Sequence, residues 1–281
     1  MKIGIIGTGL IGGSIALKLK EKNFTDFVYG IDQNEENLNK AFELNIIDEK
    51  ANFETGIKNS ELIIISIPVD SATKILPDVL DLINEKQVVM DVGSTKSGII
   101  DSIKIHPNRK RFVAFHPMWG TENSGPNAAT KDSFKGKAAV ICNKDESDEN
   151  ALGIVEQVIE ALEMHPIYMN ADAHDIHTAY ISHISHITSY ALANTVLEKE
   201  REEDTIFQLA SSGFSSTVRL AKSHPEMWVP IFRQNKENVL DVLNEHISQL
   251  RKFKSALEKE NFDYLEELIL NANKIRGILD K

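Results

Sequence analysis

The chain has 281 residues, 42% of them hydrophobic and 26% charged, enough apolar material for a core in one large domain or two ordinary ones. A formal net charge of −11 argues against a nucleic-acid groove or an anionic membrane surface, so neither is expected as a partner. A single cysteine, Cys142, rules out an intrachain disulfide and a Cys-based zinc site. No run approaches the roughly 18 apolar residues of a membrane span, so a cytoplasmic location is expected.

Short apolar runs punctuate the first part of the chain: 2–7 (KIGIIG), 27–32, 61–68, 87–93, 111–117 and 137–142. Several are apolar throughout, the pattern of parallel strands covered on both faces. Helical patterns fall between them at 11–22, 34–43, 70–83, 95–104 and 148–163. This alternation predicts a doubly wound, Rossmann-type α/β sheet. After about residue 170 the segments 172–201, 204–222 and 226–279 show helical spacing only, with Val239, Leu243, Ile247, Leu250 and Leu257 recurring at short helical intervals. The expected organisation is a dinucleotide-binding domain over 1–170 and an all-helical substrate and dimerisation domain over 171–281. Helices this long seldom bury an apolar face alone, which favours a homodimer.

The first strand leads into Gly7, Gly9 and Gly12, spaced G-x-G-x-x-G, then a helix and a second strand ending at Asp32. In that βαβ setting Gly7 permits the turn, Gly9 lets backbone approach a pyrophosphate, and Gly12 permits close helix–strand packing. Thr8, Leu10 and Ile11 complete the cofactor-binding loop. Asp32 can accept hydrogen bonds from ribose hydroxyls and would repel a 2′-phosphate, which favours NAD over NADP. Ser66, Ile67 and Pro68 end the next strand and should lie near the nicotinamide, whereas Asp70 or Ser71 reads as a helix cap. Gly93 and Ser94 end a further strand; Ser94 reads either as a cap or as a group where nicotinamide and substrate meet.

His116 follows the run RFVAF at a strand's C-terminal end, the functional edge of an open α/β sheet. It is a candidate proton acceptor, with Ser94 as a possible orienting partner, or else a loop histidine. Five of the nine histidines lie between residues 165 and 186. His183 and His186 share a helix face, with His174 and Asp175 about two turns earlier. The glutamate that metallohydrolases place between helical histidines is absent, so a polar substrate wall is expected there and no metal. Arg219 offers a guanidinium suited to a carboxylate, or a solvated charge, and Lys222 and Trp228 follow it.

Together GTGLIGGSIA, DVGSTK, FHPMWGTENSG, HDIHTAYISHISH and STVRLAKSHPEMW resemble, in order and over nearly the whole chain, the prephenate dehydrogenase family of tyrosine biosynthesis. The resemblance implies NAD-dependent oxidative decarboxylation of prephenate to 4-hydroxyphenylpyruvate. It makes His116 the base for the substrate hydroxyl, Ser94 its partner, and Arg219 the carboxylate anchor. His183 and His186 become pocket residues, Thr121 and Glu122 the rim, and Trp228 the closing wall. One departure is SSGFSS, where Ser215 and Ser216 stand in a stretch in which many relatives carry a lysine. Two other readings stay open: an arogenate dehydrogenase, and a non-catalytic NAD-sensing module. The role of Trp119 is open between packing under the loop and contact with substrate.

Overall fold

A computed structural model describes residues 1–203 and 205–279. The chain forms two compact units, Met1–Asn235 and Lys236–Lys281. The first is built on an eight-stranded sheet of order β3-β2-β1-β4-β5-β6-β7-β8. Its strands are β1 (Lys2–Ile6), β2 (Phe27–Ile31), β3 (Glu49–Lys50), β4 (Leu62–Ile65), β5 (Val88–Asp91), β6 (Phe112–Pro117), β7 (Ala138–Cys142) and β8 (His165–Met169). Neighbours are parallel except β6 and β7, which run antiparallel in the register His116↔Val140. The apolar runs do not reveal this reversal, because burial on both faces erases the alternation that distinguishes strand environments.

The helices of this unit are α1 (Leu10–Glu21), α2 (Glu35–Glu43), α3 (Phe53–Lys58), α4 (Val69–Leu82), α5 (Ser97–Asp101), α6 (Glu149–Ala161), α7 (Ala171–Thr178), α8 (Ile184–Glu203), α9 (Ser212–Thr217) and α10 (Pro225–Gln234). The pleat sorts the strand residues into two cores. Ile3, Ile5, Ile64, Met90 and Phe115 pack with Ile15 and Leu19 of α1 and Val155 and Val158 of α6. Ile63, Ile65, Val89, Phe112 and Ala114 pack with Ile57 of α3, Leu76 and Val79 of α4, Ile99 of α5 and Ala171 of α7. His116 lies two residues beyond Ala114, so it falls on the second face, the side that carries α7.

Asn170 caps α7 by accepting from Ala173 N at 2.7 Å, and Asn143 Oδ1 accepts from Ala171 N at 2.8 Å. A π-helical turn, Ala179–His183, joins α7 to α8. Residue 204 of the helix expected over 204–222 lies outside the described residues; the rest is α9 flanked by 3-10 turns at Ile206–Leu209 and Arg219–Lys222. Within α9 the hydroxyls of Ser216 and Thr217 both donate to Gly213 O at 2.9 Å, the local competition that keeps Ser/Thr-rich helices short.

The second unit holds α11 (Lys236–Glu258), α12 (Phe262–Asn273) and α13 (Arg276–Leu279). Glu260, with φ 52°, breaks α11 from α12, and Asn261 caps α12 through Tyr264 N at 3.1 Å. Leu240, Ile247, Leu250 and Leu257 leave an exposed apolar stripe along α11. Among the described residues no helix is long and apolar enough to cross a membrane.

Candidate active site

The strand order places β1 beside β4, the crossover point where an open α/β sheet forms its ligand crevice. Gly7 has φ 97°, and a Cβ there would stand 2.2 Å from Ser66 O and 2.7 Å from Ile67 Cγ2. Only glycine permits that left-handed turn and that approach to the end of β4. A Cβ on Gly12 would meet Gly7 O at 2.3 Å and Ile5 Cγ2 at 2.9 Å, so its absence lets α1 sit down on β1. Gly9 faces nothing within 4 Å, leaving an open cradle against the start of α1, whose N-cap has no side-chain cap. Asp32, one residue past β2, accepts from Thr8 N at 2.9 Å and Thr8 Oγ1 at 3.0 Å, and its other oxygen accepts from Asn34 N at 2.9 Å. A carboxylate has about four acceptor positions, so it keeps capacity for a ribose hydroxyl. The loop, the carboxylate and the end of β4 at Ser66, Ile67 and Pro68 thus fit a dinucleotide.

Three strands along, His116 is buried, with 8% of its surface exposed. Its Nδ1 lies 2.8 Å from His174 Nε2, and His174 Nδ1 lies 2.8 Å from Asp175 Oδ1. The Asp175 carboxylate also accepts from the backbone N–H groups of Lys96 at 2.8 Å and Ser97 at 2.9 Å. Beneath that loop the buried Lys96 ammonium pairs with the buried Asp91 carboxylate, which accepts in turn from Gly93 N at 2.8 Å. Burial, reinforced by neighbouring His174, Lys96 and His183, holds the His116 imidazole well below its ordinary pKa. His174 is also lowered, by burial against the pull of Asp175. Both rings are therefore neutral at pH 7.

His183, the last residue of the π-helical turn, and His186 in α8 both face Trp228. The His183 ring meets it edge-on with centroids 6.0 Å apart, and the His186 ring stacks on it at 3.4 Å. Burial pushes each imidazole down to about 4. Asn235 Nδ2 donates to Asp175 O at 2.6 Å and to His183 Nδ1 at 3.1 Å. That leaves His183 Nε2, like Trp228 Nε1, buried without a hydrogen-bond partner. Trp228 packs with Val69 of α4 and Ile231. Arg219, half-exposed, donates to Glu122 Oε2 at 2.7 Å, while Thr121 Oγ1 accepts from Asn123 N.

Residues 15–168 match the family described as "Prephenate dehydrogenase, nucleotide-binding domain", and residues 170–271 match "Prephenate dehydrogenase, dimerization domain". A prephenate dehydrogenase of Bacillus subtilis (strain 168) is 31% identical over 275 residues, 97% of this chain and 74% of the relative. The chain belongs to the prephenate dehydrogenase family. Within it, a cyclohexadienyl dehydrogenase of Zymomonas mobilis is 27% identical, covering 98% of this chain and 94% of the relative. The crystal structure of prephenate dehydrogenase from A. aeolicus, in complex with hydroxyphenyl propionate and NAD+, superposes with a TM-score of 0.87. It is 30% identical, with 98% of each chain covered. The two family matches fit an N-terminal Rossmann-type sheet and a helical C-terminal part.

Two expectations about this family site change. Ser94 makes no hydrogen bond to His116: the pleat of β6 turns the ring toward α7, and its Nδ1 is taken by His174. Asp70 is not a cap. Pro68 is the N-cap of α4, and the Asp70 carboxylate instead accepts from Arg233 and from Gln234 Nε2, the latter at 3.0 Å, tying α4 to α10. Trp119, partly buried, packs edge-on against Phe134 with centroids 5.0 Å apart. His174 and Asp175 were visible in the sequence only as neighbours of a histidine pair. The signal that finds them is a His-Asp dipeptide opening the helix that faces the His116 side of the sheet.

Proposed function

We propose that the chain is an NAD-dependent prephenate dehydrogenase acting as a homodimer, with residues 1–170 serving the cofactor and 171–281 serving substrate and dimerisation. The observation that carries this reading is a buried, neutral His116 at the C-terminal edge of β6, in the same crevice-bearing sheet edge as the Gly7–Gly12 cradle. NAD, held by that loop, Asp32 and the Ser66–Pro68 strand end, supplies the acceptor for the hydride leaving C4 of the substrate ring. His116 Nε2 takes the proton of the C4 hydroxyl as the hydride leaves, so the C4 oxygen becomes a carbonyl; the ring carboxylate then departs as CO₂, its bonding pair aromatises the ring, and the resulting phenolate takes the proton back from His116. Aromatisation supplies the driving force, so the protein mainly positions the ring and accepts one proton.

Ser94, in the bend after β5, is assigned to the same hydroxyl. Arg219 is the anchor for a substrate carboxylate, with Thr121 and Glu122 at the rim. His183 and Trp228 present buried donors without partners, groups that a polar substrate side chain can satisfy. The apolar stripe on α11 supports the homodimer, as does the match to a family dimerization domain. The test is absorbance at 340 nm with NAD⁺ and either prephenate or arogenate. Prephenate should give NADH, and His116→Asn should bind NAD⁺ normally but turn over roughly 10²- to 10⁴-fold more slowly. Faster turnover of arogenate would reassign the substrate, no NADH with either would leave a cofactor-sensing role, and unchanged turnover in His116→Asn would remove His116 as the base.

A further inference from the structure

We infer that His174 and Asp175 are positioning residues for proton transfer, fixing His116 in the tautomer whose Nε2 lone pair faces the substrate. This rests on the reading of His116 as the proton acceptor, and it adds the reason the ring presents a base and not a donor.

The chain of hydrogen bonds has one consistent direction. The Asp175 oxygens receive the backbone N–H groups of Lys96 and Ser97, and Oδ1 also contacts His174 Nδ1. Burial acts to raise the Asp175 carboxyl, but the hydrogen bonds from His174 and from Ser97 N–H outweigh it and hold the carboxyl below its ordinary range. Asp175 is therefore an ionised acceptor, and an ionised carboxylate has no proton to donate. His174 must place its proton on Nδ1. A neutral His174 then has a bare Nε2, which can only accept. The group 2.8 Å from that nitrogen is His116 Nδ1, so His116 carries its proton there. Its Nε2, which makes no hydrogen bond among the described residues, is left as a lone pair.

The same geometry serves the step after proton capture. When Nε2 takes the substrate proton, the His116 imidazolium keeps its Nδ1–H on His174, and that contact becomes charge-assisted. The Asp175 carboxylate stands one ring further away as the compensating negative charge. The other ionisable groups around the pair include Lys96 and Asp91, already neutralising each other, His183, neutral with its Nδ1 on Asn235, and the Cys142 thiol, which burial pushes up to about 12 and so keeps neutral. A backbone clamp holds the carboxylate: Lys96 and Ser97 lie at the start of α5 and Asp175 lies in α7, so two elements of the fold set the orientation of a third. Holding an imidazole in one tautomer through a carboxylate contributes up to about 10⁴-fold in a serine-protease triad; here the effect is transmitted through a second ring.

The decisive experiment is ¹⁵N NMR of histidine side chains in the full-length protein, with the His116 signals assigned by their loss in His116→Asn. At neutral pH the expected pattern is a protonated Nδ1 and a bare Nε2; a proton on Nε2 would overturn the inference. Two variants add a kinetic readout. His174→Leu removes the acceptor and should lower kcat roughly 10²-fold while leaving KM for the substrate and NAD⁺ affinity within about threefold. His174→Gln, whose amide oxygen can still accept from His116 Nδ1–H, should recover most of that loss. Wild-type kcat in His174→Leu, or equal losses in the Leu and Gln variants, would likewise overturn it. If His174→Leu does not fold, the Gln variant and the wild-type spectrum still decide. A fully active His116→Asn overturns the base assignment itself, so the two failures are distinguishable.

Discussion

Arg219 and Glu122 form an ion pair whose partners come from separate segments of the first unit, 2.7 Å apart. The Glu122 carboxyl is held below its usual range by its own backbone N–H and by Arg219. A substrate carboxylate that binds Arg219 must therefore compete with an ionised protein carboxylate. As the proposed anchor, Arg219 would make this contact on binding and keep it through hydride transfer, so its loss should act on KM. Arg219→Ala should raise KM for the substrate about 10- to 100-fold with kcat nearly constant, the range expected for one charge-assisted hydrogen bond. Glu122→Gln should move KM in the opposite direction by freeing the guanidinium. Steady-state kinetics on both variants checks the pair, and an unchanged KM in Arg219→Ala would remove Arg219 as the anchor.

At the scale of elements, Gln234 joins the Arg233–Asp70 ion pair and the Trp228–Val69 packing in fastening α10 to the nucleotide-binding layer. Gln234 Oε1 accepts from Thr95 Oγ1 at 2.7 Å, and Gln234 Nε2 donates to Asp70 Oδ1 and Thr73 Oγ1 at 3.0 and 3.2 Å. Thr95 is buried, so Gln234→Ala would strand its hydroxyl and loosen the helix that carries Trp228. The expected cost is about 1–3 kcal/mol, read as a lower urea midpoint with an unchanged slope. A midpoint within error of wild type would show that the Arg233–Asp70 ion pair and the apolar contacts hold α10 without Gln234. None of this tethering was legible in the sequence, where Asp70 looked like a cap, because a carboxylate in a first helical turn serves either role and tertiary placement decides. The same limit hid β3, only two residues long, α3, and β8, an edge strand beginning His-Pro whose residues are mostly exposed. The placement of the glycine loop, Asp32 and His116 was legible because local turn chemistry and strand ends mark such positions. The His174–Asp175 support was not, since it depends on which sheet face α7 covers.

For the molecule as a whole, the concentration of buried neutral histidines sets a liability in acid. His116, His174, His183 and His186 all lie in the first unit, and burial lowers every one of them, the last two to about 4. In the unfolded chain each would titrate near 6.5. Between those values the unfolded state binds protons that the folded state refuses, and stability changes with pH in proportion to that difference. The contribution is intact above pH 6.5, is lost progressively as pH falls, and for His183 and His186 flattens once the folded rings themselves titrate near 4. A shift of this size is on the order of 3 kcal/mol for each of His183 and His186. The carboxylates held below their ordinary range, such as Asp175, act in a lower window, so the two classes of group separate along the pH axis. Unfolding free energy measured in urea should therefore fall between pH 6.5 and 4.5, before most carboxylates protonate, and should fall less steeply in His186→Gln, which removes one titrating ring. A free energy independent of pH across that window would show that the site admits protons without opening.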